Sequence, residues 1–170
     1  MLIGDEGMGI TGVVITVSDR TSRGERKDKS GPLAVELLRK YGVECDAPIV
    51  VKDGIDTVGS AISEALDAGH RLIFTTGGTG VSARDLTPEA TQPFIEKELR
   101  GVEVQILLAG LEKTPQASLS RGLVGTSGNA LIVNAPGSRG GVKDTVGVIG
   151  DLIPHIIEQL DGYDGASHKK

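Results

Sequence analysis

Residues 72–91 read LIFTTGGTGVSARDLTPEAT: an apolar run, three glycines in four positions, an Arg-Asp pair, then Thr-Pro-Glu. Leu72-Ile73-Phe74 has the length and composition of a buried strand. Thr87-Pro88-Glu89 has the form of a helix start, with a hydroxyl cap, proline in the first position and an acid in the first turn. Pro93 should end or kink that helix early. A strand that opens through a loop into a helix is the unit of a parallel sheet. Glycines stacked at such a junction serve a backbone that must approach another group or adopt positive φ.

The same unit recurs on both sides. Gly12 to Val17 is a β-branched run ending in Ser18-Asp19-Arg20, and Ser30-Gly31-Pro32 then starts a helix with Ser30 as its cap. Leu33, Leu37, Leu38 and Tyr41 form that helix's apolar stripe, stopped by Gly42. Val43 to Val51 contains Pro48 and reads as one strand near the sheet edge. Asp56 caps a helix whose Val58, Ala61, Ile62, Ala65 and Leu66 keep a 3.6-residue rhythm until Gly69. Downstream, Gly101 to Glu112 is helical, and Gly122 to Asn134 is a hairpin turning at Ser127-Gly128-Asn129. Asn134 to Ser138 is a second turn-rich loop after a strand. Ile153, Ile156, Ile157 and Leu160 mark a closing amphipathic helix.

This order predicts an α/β fold, a three-layer sandwich whose mostly parallel sheet is flanked by helices. Residues 1–160 are expected to form a single domain and 161–170, DGYDGASHKK, a loose tail. With no Trp, two Tyr and two Phe, the core must be aliphatic, as in parallel sheets. Ligands of such sheets sit beyond the carboxyl ends of the strands. The loops Ser18-Asp19-Arg20, Thr76 to Asp85 and Asn134 to Ser138 are therefore expected to meet in one pocket.

Composition narrows the chemistry. A single cysteine, Cys45, excludes an internal disulfide and a cysteine-rich zinc site, and fits a reducing cytoplasm. Residues 1–12 lack a basic start and an apolar core, and no apolar run approaches membrane-spanning length, so neither export nor membrane insertion is expected. The net charge of -5 argues against nucleic-acid binding. Residues 20–29 run against that balance, with Arg20, Arg23, Arg26, Lys27 and Lys29 facing only Glu25 and Asp28. That segment is a solvated face, or it steers an anionic small molecule. His70, His155 and His168 have no catalytic setting.

Thr76-Gly77-Gly78-Thr79-Gly80 lacks the Gly-Lys-Ser/Thr of a P-loop and the glycine spacing of a dinucleotide fingerprint. Its bare amides and the Thr79 hydroxyl suit phosphate or carbonyl oxygens, or the loop merely reverses the chain. Asp53, in the Lys52-Asp53-Gly54 turn, and Asp85 can reach the same end of the sheet. Two carboxylates beside bound phosphates are a usual way to hold Mg²⁺. Alternatively Asp53 only forms a turn and Asp85 only pairs with Arg84.

Taken together, Ser18-Asp19-Arg20, Asp28 to Pro32, TTGGTGVSARDLTPEAT, LSRG at 119–122 and LIVNAPGS at 131–138 resemble, in order and spacing, the Mog/MoaB family of molybdopterin adenylyltransferases. The likeness runs from about residue 10 to residue 160 and extends to the G domains of gephyrin. It implies a homotrimeric α/β domain that uses Mg-ATP to adenylylate molybdopterin, releasing pyrophosphate before a separate protein inserts molybdenum. By motif position it implies Asp53 and Asp85 as the catalytic, metal-holding acids. Ser18, Asp19, Thr76, Gly77, Gly78, Thr79, Gly80, Asn134, Pro136, Gly137 and Ser138 would line the substrate pocket. A non-catalytic molybdopterin-delivery protein and a trimeric scaffold are the alternatives. Family members often carry a proline and a basic residue after Pro-Gly-Ser, so Arg139-Gly140-Gly141 implies a looser or differently shaped rim.

Overall fold

In the computed structural model, which describes residues 9–162, the chain is built on one seven-stranded sheet of order β2-β1-β4-β7-β6-β5, with β3 also paired to β1. The strands are β1 (Thr11–Val17), β2 (Glu44–Cys45), β3 (Ile49–Val51), β4 (Leu72–Thr76), β5 (Lys97–Glu98), β6 (Val124–Ser127) and β7 (Ala130–Ala135). Strands β1, β2, β3, β4 and β7 run parallel, whereas β6 lies antiparallel to β5 and β7. The helices are α1 (Asp19–Ser22), α2 (Ser30–Lys40), α3 (Ile55–Asp67), α4 (Thr87–Thr91), α5 (Arg100–Leu111), α6 (Arg139–Ile149) and α7 (Ile153–Leu160).

Alternation along the strands divides the core between the two faces of the sheet. Val14, Leu72, Phe74, Leu131 and Val133 point to one face, where α2, α6 and α7 cover them with Leu38, Val146 and Ile153. Val13, Ile15, Ile73 and Ile132 point to the other, against Val58 and Ile62 of α3. The three layers expected for an α/β sandwich are therefore present. Cross-strand register supports the same division, since Val13 pairs with Ile73 and Ile73 with Ile132.

Several local expectations are corrected. Val43 to Val51 is two strands, because the segment around Pro48 breaks the ladder between β2 and β3. Ser30 does not cap α2: Asp28 Oδ1 accepts from the Gly31 amide at 2.9 Å, and the Ser30 hydroxyl is turned to the Gly137 carbonyl. Asp56 makes no cap on α3, where Thr57 Oγ1 instead donates to the Lys52 carbonyl at 2.6 Å. Thr87 is likewise no cap, since its hydroxyl is buried without a partner. Helix α6 was not anticipated between the turn-rich loop and the closing helix. The tail expected at 161–170 lies almost wholly outside the described residues.

Candidate anion-binding and catalytic site

The three middle strands β1, β4 and β7 end side by side, so the loops after them open on one edge of the sheet. After β1, the Ser18 hydroxyl accepts from the Thr21 amide at 3.2 Å and starts α1. After β4, Gly77 and Gly78 have φ of +107° and +69°. A side chain at Gly77 would overlap the Val17 carbonyl, and one at Gly78 would overlap the Thr87 hydroxyl. Only glycine permits this crossing of backbones. After β7, the Thr76 hydroxyl donates to the Pro136 carbonyl at 2.7 Å and the Ser30 hydroxyl to the Gly137 carbonyl at 2.6 Å. Ser138 Oγ accepts from the Gly141 amide and caps α6. Arg139-Gly140-Gly141 is thus the capped first turn of a helix, not a loose rim.

Between these loops lies a cleft of about 750 Å³, bounded by Ser18, Thr76, Gly77, Gly78, Gly137 and Ser138. Asp53 and Asp85 also line it, as do the exposed Arg26, Lys27, Lys29 and Arg139. Of the basic segment, Arg26, Lys27 and Lys29 are exposed and line the cleft, whereas Arg20 and Arg23 do not line it. A cleft lined by glycine backbone, two acids and exposed cations suits a phosphate-bearing ligand with its counter-cation.

The acids are held by defined bonds. Asp19 and Asp53 clasp each other, the Asp19 amide donating to Asp53 Oδ2 at 3.0 Å and the Asp53 amide to Asp19 Oδ1 at 3.1 Å. Arg84 pairs with Asp19 at 2.5 Å, so it is not the ion partner of Asp85. Its guanidinium holds the Asp19 carboxyl below the usual carboxylate range. Asp53 is pushed the other way, first by burial and then by the neighbouring charges of Asp19 and Asp85. Asp85 Oδ2 accepts from the amide and hydroxyl of Ser82 at 3.0 and 2.8 Å.

Five predicted pocket residues, Asp19, Thr79, Gly80, Asn134 and Pro136, sit apart from the cleft lining. Asn134 is buried in a polar knot, donating to Thr75 Oγ1 and Thr91 Oγ1 and accepting from the Leu123 amide. Together with Pro136 it borders a second cavity of about 590 Å³ on the α5 side. Thr79 is buried and accepts from Ser120 Oγ at 3.1 Å. Gly80 lies against the Asp85 carboxylate. Conversely, Ser30 and Arg139 line the cleft although their sequence signals read as cap and rim. Cys45 is buried, and burial pushes its thiol up to about 11, which leaves it inert.

Fold and cleft define a class: a doubly covered, mostly parallel α/β domain with a cleft at the carboxyl ends of adjacent strands. Residues 13–155 match the family described as "Probable molybdopterin binding domain". The chain belongs to that family, as the resemblance of its motifs implied. It is 39% identical over 149 residues to a molybdopterin adenylyltransferase of Pyrococcus furiosus, covering 85% of this chain and 88% of that protein. It is 36% identical over 164 residues to gephyrin of Dictyostelium discoideum, covering 91% of this chain but only 23% of the longer relative. A crystal structure of a molybdopterin biosynthesis protein from Mycobacterium abscessus superposes with a TM-score of 0.84 at 41% identity, covering 89% of this chain and 96% of that one.

Proposed function

We propose that this protein acts in molybdenum cofactor biosynthesis as a Mg-ATP-dependent molybdopterin adenylyltransferase. The observation that carries the reading is that Asp53 and Asp85 line one cleft with the Gly77-Gly78 turn and the cations Arg26, Lys27, Lys29 and Arg139. The name of the Pyrococcus furiosus relative supports the same activity. In the reaction, a terminal phosphate oxygen of molybdopterin bonds to the α-phosphorus of ATP. The bond from that phosphorus to the β-phosphate bridging oxygen breaks, and pyrophosphate leaves with the electron pair. No protein nucleophile is required, only alignment and neutralisation of charge.

The residues fit a divalent cation of the kind that keeps waters and takes one or two protein carboxylates. Among the described residues no group of three or more ligating side chains is present, so the protein supplies few ligands and substrate oxygens the rest. Asp53 is half-buried beside like charges that a cation would relieve, and the partnerless Thr87 hydroxyl lies near the same side of Gly78 as Asp53 Oδ1. Asp53 and Asp85 would hold Mg²⁺ there, which would supply positive charge against the negative charge developing on the leaving pyrophosphate. The Gly77 and Gly78 turn presents backbone to the ligand, the Asp19 clasp holds Asp53 in place, and Arg26, Lys27, Lys29 and Arg139 receive the pyrophosphate charge.

The functional unit is a homotrimer. Helix α5 and the following 3-10 turn expose Val104, Leu108, Leu111 and Leu119, an apolar face that other copies of the chain would cover. Among the described residues no helix is long and apolar enough to cross a membrane. The reaction takes place in the cytoplasm, its product passing to a separate molybdenum-insertion protein.

Incubation with molybdopterin, Mg²⁺ and labelled ATP should release pyrophosphate, and Asp85→Asn should abolish that release while keeping the thermal melt. Pterin binding without pyrophosphate release by the unaltered protein would reject the enzyme in favour of a molybdopterin-delivery role. Normal turnover by Asp85→Asn would remove Asp85 from the reaction.

A further inference from the structure

From Gly80 to Asp85 the chain makes an excursion over the surface, with Val81 70% exposed. Asp85 must nevertheless keep one place beside the cleft. The bonds from Ser82 close the turn upon itself but do not attach it to the rest of the fold. Two ties attach it to the rest of the fold: the Arg84–Asp19 ion pair and Arg121, in the LSRG stretch, far along the chain.

Arg121 Nε donates to the Gly80 carbonyl at 2.8 Å and Nη2 to the Asp85 carbonyl at 2.7 Å. One planar guanidinium therefore grips both ends of the excursion. Its Nη1 reaches Glu89 Oε2 at 2.6 Å, anchoring the grip to α4 and holding the Glu89 carboxyl below its usual range. The Arg121 amide adds a bond to the Thr79 carbonyl at 2.8 Å. We propose that Arg121 is a positioning residue that fixes the Asp85 carboxylate at the cleft through the loop main chain. The inference rests on the reading of Asp85 as a metal-holding acid.

A guanidinium is suited to this task because its donors lie in a rigid fork, whereas a lysine ammonium is a single point charge on a flexible stem. Displacement of a reacting group by about 1 Å costs on the order of 100-fold in rate. Arg121→Ala should therefore lower kcat by roughly 30- to 100-fold and raise the half-saturating Mg²⁺ concentration about tenfold, with KM for molybdopterin changed less than about threefold. Free guanidinium ion should restore part of the rate to Arg121→Ala, which a loss of general stability would not allow. Arg121→Lys keeps the stem and the main-chain bond, and serves if the alanine variant does not fold.

Amide hydrogen exchange of residues 80–86 in the free protein gives a readout independent of activity. These amides should exchange at least about tenfold faster in either variant, while those of β1, β4 and β7 stay protected. Unchanged exchange of that loop in a folded variant, or kcat within about threefold of the unaltered protein, would overturn the proposal. If the unaltered protein transfers no AMP, the adenylyltransferase reading falls, and loop exchange together with Mn²⁺ affinity still decides the role of Arg121.

Discussion

Gly80→Ala separates function from folding. Gly80 is not among the glycines with positive φ, so alanine fits its backbone without strain. Its Cβ would, however, lie 2.8 Å from Asp85 Oδ2. That is about 0.6 Å inside ordinary carbon–oxygen contact, so the carboxylate must retreat by a comparable distance. The oxygen that moves is the one that accepts from both the amide and hydroxyl of Ser82. Weakening two exposed hydrogen bonds costs about 1–2 kcal/mol, and replacing glycine by alanine returns about 0.4–1 kcal/mol through the unfolded chain. The net change should lower the melting temperature by no more than about 5 °C. Turnover should fall about 10- to 100-fold, because a carboxylate holding a cation against phosphates tolerates little displacement. Pyrophosphate release and a thermal melt on the same preparation check this. Turnover within about twofold of the unaltered protein would refute the placement of Asp85, as would a melting loss above about 10 °C that accounts for the lost activity.

Asp53→Asn should lower AMP transfer about 1,000-fold while leaving the melting temperature equal or slightly higher, because the amide still accepts from Asp19 and no longer faces the charges of Asp19 and Asp85. Asn134→Leu should lower stability by about 2–4 kcal/mol in denaturant titration, since it strands the Leu123 amide and loses the bonds to Thr75 and Thr91. Burial, reinforced by Glu98, pushes Glu103 up to about 7 from 4.5. Its folded pKa exceeds the unfolded one, so its contribution is complete below pH 4.5 and is lost as pH rises towards 7. Discounted for solvent screening this amounts to about 1 kcal/mol, and Glu103→Gln should flatten that part of the stability profile between pH 5 and 7.5.

The main framework was legible because strand composition and helix rhythm agree along most of the chain. Gly12 to Val17, Leu72 to Phe74 and Ala130 to Val133 are β-branched or apolar runs, and each became a central strand. Helix α6 was hidden by Gly140, Gly141 and Gly147, which cost about 1 kcal/mol apiece in helix propensity. Tertiary burial of Val142, Val146 and Ile149 overrides that cost, and their spacing was the available signal. Caps were misassigned because a hydroxyl or carboxylate near a helix start has competing partners. Ser30 found the Gly137 carbonyl, 107 positions away, and no local pattern could announce it. The site was readable as three loops but not as a network. The Asp19–Asp53 clasp and the Arg121 grip join residues 34 to 41 positions apart, and only the fold brings them together.

The bond between Ser30 and Gly137 also bears on biosynthesis of the protein itself. A ribosome delivers β1, with the basic segment that follows it, long before it delivers β7, whose loop supplies the opposite wall. A nascent chain therefore passes through synthesis with half a receptor and gains a closed one only after residue 138 has left the exit tunnel and β7 has docked beside β4.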